Sequence, residues 1–267
     1  MEENSQRNSA AEFGRQMLNK VPELTLYFWI IKILCTTVGE TFADFLNTKL
    51  HLGLTKTSVI MGAFLIVALL FQLRARKYVP GLYWLVVVLL SVVGTLITDN
   101  LTDHFGVSLV TATVAFSILL ALTFIAWYMS EKTLTVHTIH TTRRELFYWC
   151  AILFTFALGT AAGDLVAERM KLGYFYSALI FAGLIAVVTF AHYKLNLNGV
   201  LAFWIAYILT RPLGASIGDL LSQARSDGGL GLGTVVTSAL FLVAILGMVI
   251  FLSMAKKDVG RVETTTG

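Results

Sequence analysis

The sequence predicts an all-α integral membrane protein in which eight transmembrane helices form four parallel two-helix repeats. Three observations predict this fold class. Hydrophobic residues make up 57% of the 267 residues and charged residues 13%, with a mean hydropathy of +0.76, which is more apolar surface than a water-soluble core can bury. Eight apolar stretches approach the roughly 20 residues that a membrane-spanning helix needs. One pattern of tryptophan, glycine and aspartate also recurs four times.

The predicted spans, in chain order, cover residues 24–46, 57–73, 80–101, 107–129, 146–167, 174–193, 197–221 and 231–254. They leave a polar N-terminal tail (1–22), a first half of the membrane domain (23–130), a linker (131–145), a second half (146–254) and a polar C-terminal tail (255–267). The N-terminal tail lacks the apolar run and cleavage site of a signal peptide, so the first span is expected to insert uncleaved. Cys35 and Cys150 lie within predicted spans and offer no disulfide framework.

The distribution of lysine and arginine predicts the orientation of the chain. The tails and loops on one face carry thirteen of these residues, and the loops on the other face carry five. Because short cytoplasmic loops carry the excess of Lys and Arg, both termini are expected in the cytoplasm. The basic pI of about 9.1 then reflects topology, and no soluble basic domain is present that would bind nucleic acid.

An internal repeat defines the two-helix units. In each unit a tryptophan precedes a glycine by ten residues, and the glycine precedes an aspartate by five. The tryptophans are Trp29, Trp84, Trp149 and Trp204, the glycines are Gly39, Gly94, Gly159 and Gly214, and the aspartates are Asp44, Asp99, Asp164 and Asp219. Because each unit contains two spans, all four enter the membrane in the same direction. With the tryptophans in the cytoplasmic aromatic belt, the aspartates form one layer near the outer edge of the hydrocarbon, since fifteen residues of helix rise about 22 Å.

The odd-numbered spans carry an oxygen-rich stripe, because side chains four residues apart share a helix face. Glu40 lies one turn before Asp44, and the second and third stripes continue to Asp103 and Glu168. An aspartate facing lipid at mid-bilayer costs roughly 2.5 to 3.5 kcal/mol, so the stripes are expected to face protein or a water-filled cavity. The even-numbered spans lack a stripe and are expected to pack as scaffold or to contact lipid. The motif glycines are expected to be close-packing points between helices.

The clustered carboxylate and hydroxyl oxygens predict a cation site. Oxygen ligands without a histidine or cysteine set suit Mg²⁺, Ca²⁺ or Mn²⁺ better than Cu(I). His51 and His104 follow the first two motifs, where each is either a nitrogen ligand or an ordinary solvated loop residue. No cofactor is expected, and protons, Na⁺ and organic cations stay open as alternative passengers. The predicted metal ligands are Asp44, Asp99, Asp164, Asp219, Glu40, Asp103 and Glu168.

An arginine and a proline interrupt the seventh predicted span. Pro212 frees a backbone carbonyl and bends the helix, while Arg211 is expected to face the acidic layer and to balance its charge or gate it. Three roles stay open for this arginine: a static ion pair, a counter-ion displaced when a cation binds, or a gate. Lys32, three residues after Trp29, is expected to snorkel to the cytoplasmic interface.

Together these features predict a membrane transport protein that moves or binds a cation, with a divalent metal such as Mn²⁺ as the first choice. The expected partners are the lipid bilayer and a metal or other small cation; the sequence does not predict an oligomeric state. One alternative is a non-transporting membrane scaffold or partner subunit. Another is an intramembrane aspartyl protease, because "AAGD" (161–164) and "SIGD" (216–219) resemble its Gly-x-Gly-Asp motif, although both lack the first glycine.

The four motifs also carry a family resemblance. The segments "VGETFAD", "VGTLITD", "LGTAAGD" and "RPLGASIGDLL" resemble a family of small bacterial multi-spanning proteins, described as uncharacterised and membrane-anchored, with four repeated Gly-x4-Asp motifs. The resemblance covers residues 23 to 254. It implies a location in the bacterial inner membrane and transfers no catalytic residue.

Overall fold

The computed structural model describes residues 19–49 and 53–265, with side chains for 19–47 and 53–254. Eight helices in this part of the chain are long and apolar enough to cross a membrane, which agrees with the eight predicted spans. Most of the predicted N-terminal tail lies outside the described residues, and the predicted C-terminal tail begins within the last helix. The helices are α1 (Leu26–Asp44), α2 (Leu54–Arg74), α3 (Pro80–Asp99), α4 (Leu109–Glu131), α5 (Thr142–Asp164), α6 (Gly173–Lys194), α7 (Gly199–Ser222) and α8 (Thr234–Thr265).

The odd-numbered helices form an inner ring, and the even-numbered helices form an outer layer. Helices α1 and α5 each pack against both α3 and α7, which closes a ring of four helices. In the most apolar stretch of each helix, 56% to 67% of the residues are buried in the inner helices and 11% to 22% in the outer ones. This exposure agrees with the expectation that the even-numbered spans serve as scaffold or contact lipid.

Each outer helix packs against the inner helix of the following repeat. Helix α2 packs against α3, α4 against α5, and α6 against α7, while α8 packs against α1. The last helix thus covers the first, and the four repeats close head to tail around one axis. Each outer helix therefore connects two consecutive repeats, because it packs mainly against the inner helix of the next repeat and not against that of its own repeat.

The motif glycines bring neighbouring inner helices into close contact. Each one lies against the residue three positions before the motif glycine of the next repeat, and a Cβ atom on it would overlap that neighbour. The contacts are Gly39 with Ser91, Gly94 with Phe156, Gly159 with Arg211, and Gly214 with Thr36. The predicted role of these glycines as close-packing points is confirmed, because only a residue without a side chain permits so short an approach.

The opposite end of the ring from the motif aspartates, called here the tryptophan end, is a buried aromatic core. Trp84, Trp149 and Trp204 are only 2% to 4% exposed, so their interpretation as interfacial anchors is wrong. Each motif tryptophan instead packs on the aromatic residue that precedes the motif tryptophan of the previous repeat. These pairs have ring centroids 5.4 to 6.3 Å apart and are Phe28–Trp84, Tyr83–Trp149, Tyr148–Trp204 and Phe203–Trp29. Such pairs add about 0.5 to 1.5 kcal/mol each beyond the burial of their area.

A buried ion pair ties the segment before α1 to the tryptophan end. Lys20 Nζ lies 2.6 Å from Glu145 Oε2 and also donates to the Leu73 carbonyl oxygen. Gln72 Nε2 donates to Glu145 Oε1 at 3.0 Å. The two charged side chains are 6% and 1% exposed. The pair therefore joins the N-terminal segment, the end of α2 and the start of α5.

Replacing Glu145 with alanine is expected to lower the free energy of unfolding by about 3 to 5 kcal/mol, because it leaves the Lys20 amine buried without its counter-charge. Thermal or denaturant unfolding of the purified protein in detergent micelles measures this loss. Glu131→Ala is the matched control, since Glu131 pairs with Arg144 at 2.8 Å at a more exposed position, where solvent weakens the interaction. Equal losses in the two variants would contradict the prediction.

Candidate functional site

Side chains on the inner face of the ring stack in layers along its axis, because residues four apart share a helix face. The first four layers are 6% exposed or less. From the tryptophan end, the layers are Phe28, Tyr83, Tyr148 and Phe203; Lys32, Val87, Ile152 and Tyr207; Thr36, Ser91, Phe156 and Arg211; Glu40, Thr95, Thr160 and Ala215; and Asp44, Asp99, Asp164 and Asp219. The axis thus changes from aromatic to acidic along its length.

Three carboxylates from three inner helices meet at the acidic end. One oxygen atom from each of Glu40, Asp164 and Asp219 lies within 4.8 Å of the other two. Glu40 and Asp219 are 6% and 7% exposed, and Asp164 is half-buried. Two oxygens bound to one ion at roughly 2.0 to 2.6 Å are at most about 5 Å apart. The spacing of this three-carboxylate cluster is therefore compatible with a single bound cation.

The other two motif aspartates border the three-carboxylate cluster. Asp44 and Asp99 interact electrostatically with the Glu40 carboxylate, as do Asp164 and Asp219. Gln223 Nε2 donates to Asp44 Oδ2 at 3.3 Å. All four motif aspartates therefore lie within electrostatic range of one carboxylate, that of Glu40.

Asp103 and Glu168 lie one turn beyond this layer and are exposed. Asp103 accepts a hydrogen bond from the Thr102 hydroxyl at 3.0 Å, and Glu168 accepts one from the Tyr174 hydroxyl at 3.5 Å. His104 is exposed as well, and His51 lies outside the described residues. The structure therefore places Asp103 and Glu168 outside the three-carboxylate cluster. They lie at the exposed end of the inner ring beyond the motif aspartates, which is called here the mouth of the site.

Three of the inner helices change geometry directly after the motif aspartate. Helices α1, α3 and α5 continue into the π-helical turns Phe45–Lys49, Asn100–His104 and Leu165–Arg169. Single π-helical turns of this kind occur frequently at functional sites. In these three helices the regular α-helical geometry therefore ends at the motif aspartate.

Arg211 lies on the axis one layer away from Glu40 and is fully buried. Its Nη2 donates to Glu40 Oε2 at 2.7 Å, to Thr160 Oγ1 at 2.7 Å and to Thr95 Oγ1. Its Nη1 donates to the Thr36 carbonyl oxygen at 3.2 Å. The arginine thus faces the acidic end, as predicted, and contacts all three of the other repeats.

The neighbours of Arg211 explain how a guanidinium fits inside the ring. Gly159 lies against the aliphatic part of its side chain and against the Pro212 ring. Pro212 lies within α7, where its missing N–H leaves one carbonyl of the preceding turn without its usual partner. Close packing by a glycine and a local break in helix bonding together position the arginine on the axis.

Lys32 lies one layer closer to the tryptophan end than Arg211. Its Nζ is 4.0 Å from the centroid of the Phe156 ring and 4.2 Å from that of Tyr207, and it has no hydrogen-bond partner among the described residues. The side chain is 0% exposed, so the expectation that it snorkels to the interface is wrong. Lys32 points to the axis, because it lies on the same helix face as Thr36 and Glu40, and its amine lies over the Phe156 and Tyr207 rings.

Two threonines of the oxygen-rich stripes belong to the site, although the predicted set of metal ligands did not include them. Thr95 and Thr160 accept hydrogen bonds from Arg211. Each follows a motif glycine by one residue, which is the position of Glu40 in the first repeat. This equivalence within the repeat is the sequence signal that identifies them.

The four repeats each match the model of one known protein family. Four segments match the model of a family described as Repeat of Unknown Function (DUF347), at residues 27–78, 82–133, 147–197 and 202–258. Each match begins two residues before a motif tryptophan and covers most of one inner helix and of the outer helix that follows it. No curated protein and no solved structure matches the chain.

Proposed function

We propose that this chain, which belongs to the Repeat of Unknown Function (DUF347) family, is a membrane transport protein that binds and moves a divalent cation such as Mn²⁺. The observation that carries the proposal is the meeting of Glu40, Asp164 and Asp219 on the axis of the ring. Carboxylate oxygens in this number and spacing suit hard or intermediate divalent cations. Asp44, Asp99, Asp103 and Glu168 surround the cluster or its mouth, where their negative charge would concentrate cations.

In this proposal the protein spans the bacterial inner membrane, with both termini in the cytoplasm and the acidic end outward. The excess of lysine and arginine in the tails and in the loops of the tryptophan end supports that orientation. The exposed apolar faces of the outer helices would contact lipid. The ion would then reach the cluster from outside the cell or leave through the same mouth.

The filled axis supports a carrier in preference to an open channel. Between the three-carboxylate cluster and the tryptophan end, every axial layer of the described structure is buried, including Lys32 and Arg211. A cation at the cluster would therefore meet two basic side chains and then a layer of aromatic rings. Movement past them requires a rearrangement of the inner ring, as in the alternating access of a carrier.

One observation supports the protease alternative, namely the short distance between the carboxylates of Asp164 and Asp219. An aspartyl protease uses two carboxylates that share a proton, and oxygens of Asp164 and Asp219 lie within 4.8 Å of each other. Glu40, however, supplies a third carboxylate at the same distance and holds the Arg211 guanidinium. Three carboxylates with a bound positive group favour a cation site over a proton-sharing pair.

Asp164→Asn and Asp219→Asn are each expected to weaken Mn²⁺ binding by at least about 100-fold, because loss of a mere supporting group around a metal already costs 10- to 100-fold. Titration calorimetry in detergent measures binding, and Mn²⁺ flux into proteoliposomes measures transport. Asp227→Asn is the matched control, since Asp227 is an exposed acidic residue in the loop after α7 and the substitution removes the same charge.

Binding and flux that stay at the wild-type level in both aspartate variants would reject the proposal in favour of the scaffold alternative. Cleavage of a membrane-embedded peptide that is lost with Asp219→Asn would reject it in favour of the protease.

A further inference from the structure

We infer that Arg211 is a built-in cation that occupies the site at rest and makes it selective for divalent over monovalent cations. The inference rests on the proposed function and specifies how the same site chooses its ion. An incoming cation would have to take Glu40 from the guanidinium before it could bind.

Glu40 is shared between the two cations. Its Oε2 accepts a hydrogen bond from Arg211 at 2.7 Å, and the same carboxylate belongs to the three-carboxylate cluster with Asp164 and Asp219. Both interactions draw on one negative charge. A metal ion in the cluster would share this charge with the guanidinium and repel it, which places the two cations in competition for Glu40.

The layer that holds the guanidinium is a cradle for a positive group. At the position after the motif glycine, three repeats present oxygen atoms, from Glu40, Thr95 and Thr160, and all three accept from Arg211. The fourth repeat has Ala215 at this position and supplies the arginine from one turn earlier. The fourth repeat thus lacks an oxygen atom at this position and contributes a positively charged side chain to the layer instead.

The guanidinium is not fully satisfied where it lies, which is an observation independent of the acidic cluster. Its Nε is buried without a hydrogen-bond partner among the described residues, and so is the hydroxyl of Ser91 in the same layer. A guanidinium that leaves Glu40 therefore keeps one unused donor, and the layer from which the Arg211 side chain extends contains one unused hydroxyl. This arrangement suits a side chain with two positions better than one locked in a static pair.

Charge balance explains the selectivity. A monovalent cation that takes the place of the guanidinium at Glu40 gives this carboxylate the same single positive charge, while the guanidinium loses its hydrogen bonds, so the exchange at Glu40 gains no electrostatic energy. A divalent cation adds one positive charge among the clustered carboxylates, where opposite charges attract strongly. The tethered arginine thus rejects Na⁺ while it admits Mn²⁺ or Ca²⁺.

Thr160→Val tests the competition by the sign of its effect. The substitution removes one hydrogen bond to the guanidinium, so Arg211 is displaced more easily and Mn²⁺ is expected to bind about tenfold more tightly, the weight of one hydrogen bond to a charged group. If Thr160 were instead an ordinary ligand or a structural residue, Mn²⁺ binding would weaken or stay the same. Either outcome would overturn the inference.

Thr155→Val is the matched control on the same helix. Thr155 is equally buried, but its hydroxyl donates to the Ile152 carbonyl oxygen and is not among the described hydrogen-bond partners of Arg211. Titration calorimetry with MnCl₂ on the full-length protein in detergent is expected to give a wild-type affinity. An equal gain in affinity for both threonine variants would show a general loosening of α5 and would also overturn the inference.

Arg211→Gln and Arg211→Lys test the selectivity. Sodium at about 0.15 M, compared with choline at equal ionic strength, is expected to leave Mn²⁺ binding to the wild type and to Arg211→Lys unchanged. For Arg211→Gln it is expected to weaken Mn²⁺ binding about tenfold, because the competing positive charge has gone. Equal sodium sensitivity in all three proteins overturns the inference, and if Arg211→Gln does not fold, the Thr160→Val result decides.

Failure of the inference is separable from failure of the proposed function. Wild-type protein that binds Mn²⁺, loses binding with Asp164→Asn and shows no gain with Thr160→Val keeps the cation site and discards the competing arginine. Mn²⁺ binding that is unchanged by both Asp164→Asn and Asp219→Asn discards both the cation site and the competing arginine.

Discussion

Glu40→Ala is expected to lower the free energy of unfolding by about 3 to 5 kcal/mol, because it removes the carboxylate bound to a fully buried guanidinium. Arg211 is 0% exposed, and Glu40 Oε2 lies 2.7 Å from its Nη2. The two remaining threonine hydroxyls accept hydrogen bonds but carry no charge. Thermal or denaturant unfolding in detergent micelles, without added metal, measures the loss.

A double variant separates loss of the ion pair from loss of packing at Glu40. Glu40→Leu with Arg211→Leu removes both charges and is expected to recover most of the stability, since replacing a buried pair by apolar residues is often neutral or stabilising. Glu168→Ala is the control for charge, because Glu168 is exposed at the mouth. The two substitutions should compensate each other, so the double variant should lose less stability than the two single variants lose together. A loss equal to or greater than that sum would contradict the argument.

Gly94→Ala is expected to destabilise the inner ring by about 3 kcal/mol, the upper part of the usual range for overpacking. An added Cβ would lie 2.6 Å from the Cβ of Phe156 and 3.3 Å from its backbone carbonyl carbon. Because backbone atoms of α5 are involved, a side-chain rotation cannot relieve the overlap and the two helices must separate. Unfolding in detergent measures the effect on stability.

Gly183→Ala is the matched control in outer helix α6. A Cβ at Gly183 would meet no atom within 4 Å, and alanine favours a helix over glycine by about 1 kcal/mol. This variant is therefore expected to be as stable as the wild type or slightly more so. Equal destabilisation by the two substitutions would show that the inner ring does not depend on the close approach at the motif glycines.

The sequence was sufficient to predict the helices, the repeats and the composition of the acidic layer. Apolar stretches of the right length predict the spans, and the recurring tryptophan, glycine and aspartate predict which positions are equivalent. The inward direction of the acidic stripes followed from the cost of placing carboxylates in lipid. These features depend on residue type and on spacing along one helix, and both are visible in a single chain.

The burial of two kinds of residue differed from the expectation. Tryptophans and a lysine near the end of an apolar span are usually interfacial, yet Trp84 and Lys32 are 2% and 0% exposed. Both belong to inner helices, whose tryptophan ends are covered by neighbouring repeats. Their position along the helix was predicted correctly, but the identity of the surface they face was not.

What the sequence by itself determined is therefore the set of residues that share each helix face, since helical periodicity places Glu40, Asp44 and Lys32 on one face of α1. Only the tertiary structure decided which faces meet: that Glu40 of the first repeat joins Asp164 and Asp219, and that Arg211 reaches Thr95 and Thr160. The physical reason is that contacts between helices depend on the order and rotation of the helices around the ring. Those are set by packing at glycines and aromatic rings far apart in the chain, and no local pattern records them.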